Sequence, residues 1–387
     1  MSRSKLLGIF LIVGLMSLLI PLAIALAQGE AEGTITIRDS DDTNYSDLLS
    51  DMVIINLTLP ALPADMVYEG WLVADDGSRV QSIGRFGSTG EVDTTYTSAD
   101  GENLFSVFDK FEISIEPVDD PDPGPSAQIL HRITAGGILH IRHLLFSLGG
   151  NPPYATGNFH AGSPKGLAVG LREQTSIAMV HAALSSSSNT LPLVKQHAED
   201  VVNAIEGSAG ANYGDLDGDG SAQDVGDSTG VLVYGAGTAQ HAALAAAHNA
   251  NDDTVRGYSQ EAIDSANQAT AWATEARDLA LVALASSNLS DAKFTMGNAQ
   301  DRLERALNGF DANNDGAIER VTGEGGASQA YGAAQDMSIY VLDPKAEVVL
   351  PDAGDSNVPN LALLILLSGV GLLLGGAFIY RRSKQTA

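Results

Sequence analysis

The chain of 387 residues carries 48 acidic and 21 basic residues, a net charge of −27, and no cysteine. The absence of thiols excludes disulfides, thiolate zinc sites, covalently attached c-type haem and cysteine nucleophiles. The charge disfavours nucleic acid and anionic lipid as partners and attracts cations, the more so because Arg3, Lys5, Arg381, Arg382 and Lys384 all lie in the terminal segments.

The chain opens Met-Ser-Arg-Ser-Lys and continues as an apolar run from Leu6 to Ala27, closing in Ala25-Leu26-Ala27. A basic start, an apolar middle and a small-x-small end predict a cleavable export signal at residues 1–27. The run is also long enough to span a bilayer, so an uncleaved anchor is the alternative. In either case the following residues are exported.

From Gly33 to Ile133 short alternating runs recur: Thr34 to Arg38, Met52 to Leu59, Tyr68 to Ala74, Val80 to Phe86, Val92 to Thr97 and Phe111 to Val118. Turn clusters such as Ala74-Asp75-Asp76-Gly77 separate them, a spacing that predicts an antiparallel β sandwich over residues 33–135 with Trp71 and Val73 on a core face. After Gly136 the chain is rich in alanine, with helical periodicity at Gly166 to Leu184, Leu191 to Ile205, Ala239 to Ala247, Thr254 to Ser286 and Ala292 to Leu307. A mostly α-helical bundle domain is therefore expected over residues 136–342. The fold class that follows is α+β multidomain.

Residues 343–357 contain Pro351 and several aspartates and read as a stalk. Residues 358–380 hold no charge and are followed at once by Arg381, Arg382 and Lys384. This predicts a single C-terminal transmembrane helix, a cytoplasmic tail at 381–387 and an ectodomain outside.

The helical segment contains an internal repeat. Ala198 to Gly207 leads to Asp215-Leu-Asp217-Gly-Asp219-Gly220, and Ala299 to Gly309 leads to Asp311-Ala-Asn313-Asn-Asp315-Gly316. Calcium takes six to eight oxygens, and short oxygen-bearing side chains at alternate positions converge on one centre when a glycine at the sixth position turns the chain. The loops resemble EF-hand and dockerin calcium loops, and that resemblance implies Asp215, Asp217, Asp219 and the Ser221 carbonyl as one set of ligands. The second set is Asp311, Asn313, Asp315 and the Ala317 carbonyl. Where an EF-hand has a bidentate glutamate this chain has Gly226 and Thr322, so Asp224 or Asp227 and Glu319 or Glu324 are the candidate replacements. A solvated Asp-Gly turn is the alternative for each loop.

The histidines supply a second candidate chemistry: His140 and His143 at i, i+3, His241 and His248 at i, i+7, and His181 and His197 on separate helices. Facing helices can build a metal or haem site from such residues, which otherwise serve as packing or surface histidines. No P-loop or strand-linked G-x-G-x-x-G motif is present.

Two further resemblances concern the ends. Tyr68-Glu-Gly-Trp71-Leu-Val, Gly84-Arg-Phe86, Phe111-Glu-Ile-Ser-Ile-Glu-Pro117 and the turn from Pro121 to Pro125 resemble the extracytoplasmic β domain of anti-sigma-K-type factors. That family pairs a Tyr-x-x-Trp-Leu strand with a Val-Thr-x-Glu-Pro strand. Its members carry a cytoplasmic helical domain before the membrane span, whereas a signal-like segment precedes this sandwich, so the resemblance implies the fold. Leu350-Pro-Asp-Ala353-Gly354, followed by the apolar span and basic end, resembles an LPxTG-like sorting signal with Ala353 in place of threonine. It implies cell-wall attachment, with a stalk turn before a permanent span as the alternative.

The sequence thus predicts a non-enzymatic cell-surface protein, single-pass in the cell membrane. Its ectodomain would bind calcium (Ca2+) structurally and serve adhesion, envelope or binding-module roles toward an extracellular or envelope partner, without nucleic acid. The alternatives are a membrane-linked signalling partner related to anti-sigma factors, and a histidine-based metal or haem bundle.

Overall fold

The computed structural model describes residues 31–41, 48–74, 76–88, 90–108, 110–121, 124–126, 129–134, 138–146 and 165–342. The signal, stalk, sorting motif, membrane span and tail read from the sequence lie outside the described residues. Among the described residues no helix is long and apolar enough to cross a membrane.

Among the described residues, eight strands form two antiparallel sheets: β1 (Glu32–Arg38), β2 (Met52–Leu59), β3 (Met66–Val73), β4 (Val80–Gly87), β5 (Gly90–Thr97), β6 (Lys110–Pro117), β7 (Ile129–Thr134) and β8 (Ile339–Leu342). The strand orders are β5-β2-β1-β8 and β4-β3-β6-β7. Period-two alternation decides the faces. On β2, Val53, Ile55, Leu57 and Leu59 are buried while Asn56 and Thr58 are exposed. Register sorts the other sheet in the same way: Tyr68 lies opposite Ile115, Gly70 opposite Ile113 and Leu72 opposite Phe111. Tyr68, Leu72, Phe111, Ile113 and Ile115 belong to the core shared with Ile35 and Ile55 of the first sheet. Burial of Tyr68, whose hydroxyl donates to the Pro60 carbonyl at 3.0 Å, pushes its pKa up to about 12.

Among the described residues, seven helices lie between β7 and β8: α1 (Ile138–Leu145), α2 (Leu167–Ser187), α3 (Leu191–Glu206), α4 (Val231–His248), α5 (Asp253–Ala285), α6 (Leu289–Asn308) and α7 (Ala327–Asp336). Their starts follow from side-chain caps. Asp252 accepts from Thr254 and Val255 N–H ahead of α5, and Asn288 from Ser290 and Asp291 N–H ahead of α6. On α5 the residues Ala262, Ala266, Ala269, Ala273, Ala276, Ala280 and Ala283 are fully buried. Their alternating spacing of four and three makes a continuous stripe of small side chains, which lets neighbouring helices approach closely.

An α+β arrangement of antiparallel sheets followed by helices is therefore present. One boundary differs from the sequence reading. Ile339 to Leu342, expected in the helical segment, form the edge strand of the first sheet, with Gly33 opposite Leu342 and Ile35 opposite Tyr340. The junction is fixed by polar contacts. Asp39 N–H donates to Gln335 Oε1 at 2.8 Å, Tyr331 donates to Asp39 Oδ2 at 2.9 Å, Ser338 donates to the Ile37 carbonyl at 2.6 Å, and Arg38 pairs with Asp336. Burial pushes the Asp39 carboxyl up, although Asp41 N–H, Tyr331 and Leu49 N–H all donate to it.

Candidate functional site

The two Asp-rich segments form matching helix–loop–helix units, α3–loop–α4 and α6–loop–α7. Gly207 and Gly309 end the first helix of each unit at φ of 70° and 79°. Within the loops the fourth and sixth positions are left-handed in both: Gly218 at 80° and Gly220 at 95°, Asn314 at 60° and Gly316 at 94°. Glycine adopts this region without a Cβ penalty and asparagine at a small one, which is why these residue types stand there.

The turn draws the side chains inward. Asp215 accepts from Gly218 N–H at 2.8 Å and Gly220 N–H at 2.9 Å, and Asp311 accepts from Gly316 N–H at 3.0 Å and Asp315 N–H at 3.3 Å. Asp217 and Asp219 accept from the N–H two residues on, at 2.9 and 2.8 Å, as Asn313 and Asp315 do at 2.9 and 3.0 Å. Each carboxylate has about four lone-pair sites, so these bonds leave acceptors for an ion. Ser221 and Ala317, whose carbonyls complete the expected sets, are exposed directly after each turn.

The expected replacement acids of the first loop point elsewhere. Asp224 accepts from Gly226 N–H at 3.2 Å and from the Ser228 hydroxyl, and Asp227 accepts from Thr229 N–H at 3.0 Å and Tyr234 hydroxyl at 2.6 Å. Both hold the turn into α4. The acid that converges on Asp215 and Asp217 is Glu199, with ligand oxygens within 4.8 Å of one another. Glu199 is 1% exposed on α3 and accepts from Leu216 N–H at 2.6 Å, Asp217 N–H at 3.0 Å and Gln223 N–H at 3.1 Å. One helical turn on, Asn203 binds Gly214 N–H at 3.0 Å and the carbonyls of Gly214 and Gln223 at 3.2 and 2.9 Å. Helix α3 therefore presets this loop with two side chains on one face. The repeat has Gln300 where the first unit has Glu199, and no local spacing marks the glutamate as a loop residue.

In the second loop the expected Glu324 is buried beneath the turn. It accepts from Asn313 N–H at 3.2 Å and Glu319 N–H at 3.1 Å. The carboxyls of Glu319 and Glu324 share a hydrogen bond that pushes Glu319 up to about 7 and holds Glu324 low.

The sandwich has a polar feature of its own. Trp71 is buried, but on the face of its sheet turned away from the shared core, opposite Glu112, with Glu69 opposite Ser114. This corrects the expected core placement of Trp71; strand alternation puts Leu72 in the core instead. Trp71 Nε1 donates to Ser114 Oγ at 2.7 Å, and Ser114 Oγ donates to Glu116 Oε1, which also accepts from Ser126 N–H at 2.7 Å. Arg85 and Ser82 bind Glu69 at 2.9 and 2.6 Å. The tryptophan of the Tyr-x-x-Trp-Leu strand is thus wired to the glutamate of the Glu-Pro strand. The model for anti-sigma-K factor RskA, C-terminal, matches residues 22–129. The match spans β1 to β6, and the sandwich is similar to the RskA C-terminal region. No curated protein and no solved structure matches the chain.

Six of the described histidines gather in two places. His140 and His143, one turn apart on α1, meet His241 of α4, with His143 Nδ1 at 3.1 Å and His140 Nδ1 at 3.5 Å from His241 Nδ1. Exposed His248 packs its ring on His140, centroids 5.0 Å apart. Desolvation lowers His143 and His241 to about 4 and lowers His140 as well, so all three rings are neutral at pH 7. The second group is His181 and His197, whose Nδ1 atoms lie 2.9 and 3.1 Å from Asp200 Oδ2.

Proposed function

We propose that this chain is a membrane-linked, non-enzymatic signalling protein related to anti-sigma factors, with the β sandwich as its extracytoplasmic module. The observation that carries the reading is the coincidence of the RskA C-terminal match at 22–129 with the strands that hold the Trp71–Ser114–Glu116 chain. A buried carboxylate held by hydrogen bonds fixes the pairing of β3 with β6 and keeps that face of the sheet in one conformation. Such a module suits recognition at the cell envelope, with the charge of −27 disfavouring nucleic acid. A strain lacking the chain should show altered transcription of a sigma-factor regulon under envelope stress, restored by the wild-type gene. An unchanged transcriptome across envelope stresses would remove the signalling reading.

A second reading concerns the helical region. We infer that its two loops bind Ca2+ and staple helix α3 to α4 and α6 to α7. It is favoured by the same pair of left-handed turns and inward-facing carboxylates recurring in both loops. The ligands on this reading are Asp215, Asp217, Asp219 and Glu199 in one loop and Asp311, Asn313, Asp315 and Glu324 in the other. In a chain without disulfides, an ion bound only in the folded state adds RT ln(1 + [L]/Kd) to stability, a structural role at extracellular calcium.

A further inference from the structure

We propose that His140, His143 and His241 form a site for one divalent transition metal of the zinc class, which staples α1 to α4. Three Nδ1 atoms converge there. Those of His140 and His143 lie 3.5 and 3.1 Å from that of His241, and the three candidate ligand nitrogens are all within 4.8 Å of one another. A tetrahedral zinc with nitrogens at about 2.0–2.1 Å sets its ligands roughly 3.4 Å apart. The observed spacings are close to that edge.

A neutral imidazole nitrogen carries either a proton or a lone pair. With the protons of the three rings on Nε2, the three Nδ1 lone pairs face one another, and a cation between them satisfies all three at once. His143 is 8% exposed and its Nε2 has no hydrogen-bond partner, so Nδ1 is the ring nitrogen with a partner within reach.

The other histidine pair differs in its donor set. His181 and His197 lie beside Asp200, with Nδ1 atoms 2.9 and 3.1 Å from Asp200 Oδ2, so that cluster mixes a carboxylate with its imidazoles. Imidazole donors without a carboxylate suit zinc, copper or nickel and not calcium, so this site is chemically distinct from the two oxygen loops. Its consequence is mechanical. Helix α1 reaches back to the sandwich, with Arg142 donating to the Ser106 carbonyl at 3.2 Å. A metal on its other face ties that contact to α4.

The test uses the full chain, stripped of transition metals and kept in excess Ca2+. Competition with a chromophoric chelator should give one tight Zn2+ per chain. Cu2+ loaded at one equivalent should show nitrogen coupling from histidine in its electron paramagnetic resonance spectrum. His241→Gln should weaken Zn2+ binding by more than the roughly 10–100-fold typical of losing an outer-shell partner, while His181→Gln leaves it unchanged. Native-like His241→Gln protein with unaltered Zn2+ affinity overturns the proposal. If that variant does not fold, the wild-type spectrum decides: oxygen-only coordination of Cu2+, or no Zn2+ retained against the chelator, overturns it.

Discussion

Gly170 on α2 has no room for one more carbon. A Cβ there would lie 2.1 Å from Cε1 and 2.2 Å from Cζ of Tyr234, itself held by Asp227. Gly170→Ala should therefore destabilise the protein by about 1–3 kcal/mol, the usual cost of overpacking a filled core. Gly257 on α5 is the control: it is exposed, a Cβ would meet nothing within 4 Å, and Gly257→Ala should stabilise by about 0.5–1 kcal/mol. Melting curves check both, and a Gly170→Ala protein as stable as the wild type would contradict the packing. Legibility at this scale depends on distance along the chain. The turn glycines and inward aspartates were readable because alternate positions and a sixth-position glycine are local. Glu199 and Tyr234 were not, since each reaches its partner from another element. The burial of Trp71 was anticipated but its face was not, because both faces of β3 are covered.

The helix–loop–helix units can be tested separately because each draws its acids from its own segment. Calorimetry on the full chain should show about two Ca2+ bound and weaker Mg2+, which gives up its waters reluctantly. Glu199→Gln should weaken the first site and leave the second; Glu324→Gln should do the reverse. No calcium heat, together with a melt unchanged by chelator, would reduce both loops to Asp-Gly turns. The sequence located most of the long elements: α3 at Leu191–Glu206 and α5 at Asp253–Ala285 lie within a residue or two of their periodic stretches. Helix α4 begins at Val231, eight residues before the predicted Ala239, since its Gly235 and Gly237 break the periodic signal. Strands β7 and β8 and helices α1 and α7 went unread. Each is ten residues or fewer, too short for a period to stand out.

At the scale of the whole molecule, the last described strand binds the first. Tyr340, 5% exposed and opposite Ile35, carries the packing of β8 onto the sandwich. Tyr340→Ala should cost about 3 kcal/mol, within the range for truncating a large buried side chain. It should lower the melting of the sandwich, which denaturation followed by tryptophan fluorescence can report through Trp71 in a Trp272→Phe background. An unshifted transition would mean that β8 is dispensable. A sandwich ending at residue 135 looked self-contained because its alternating runs are contiguous, and nothing in four residues at the far end signals a return to the sheet.

That return has a cost in time. Ile37 and Ser338, hydrogen-bonded in the folded protein, are 301 residues apart in the chain. At a synthesis rate of about 5–20 residues per second, β1 waits roughly 15–60 s for its second neighbour. During that interval its Thr-Ile-Thr-Ile edge offers unpaired N–H and C=O groups to any passing strand. The nascent chain is then most vulnerable to misassociation, and an occupant of that edge, whether a chaperone or a strand of another protein, must leave before β8 can arrive.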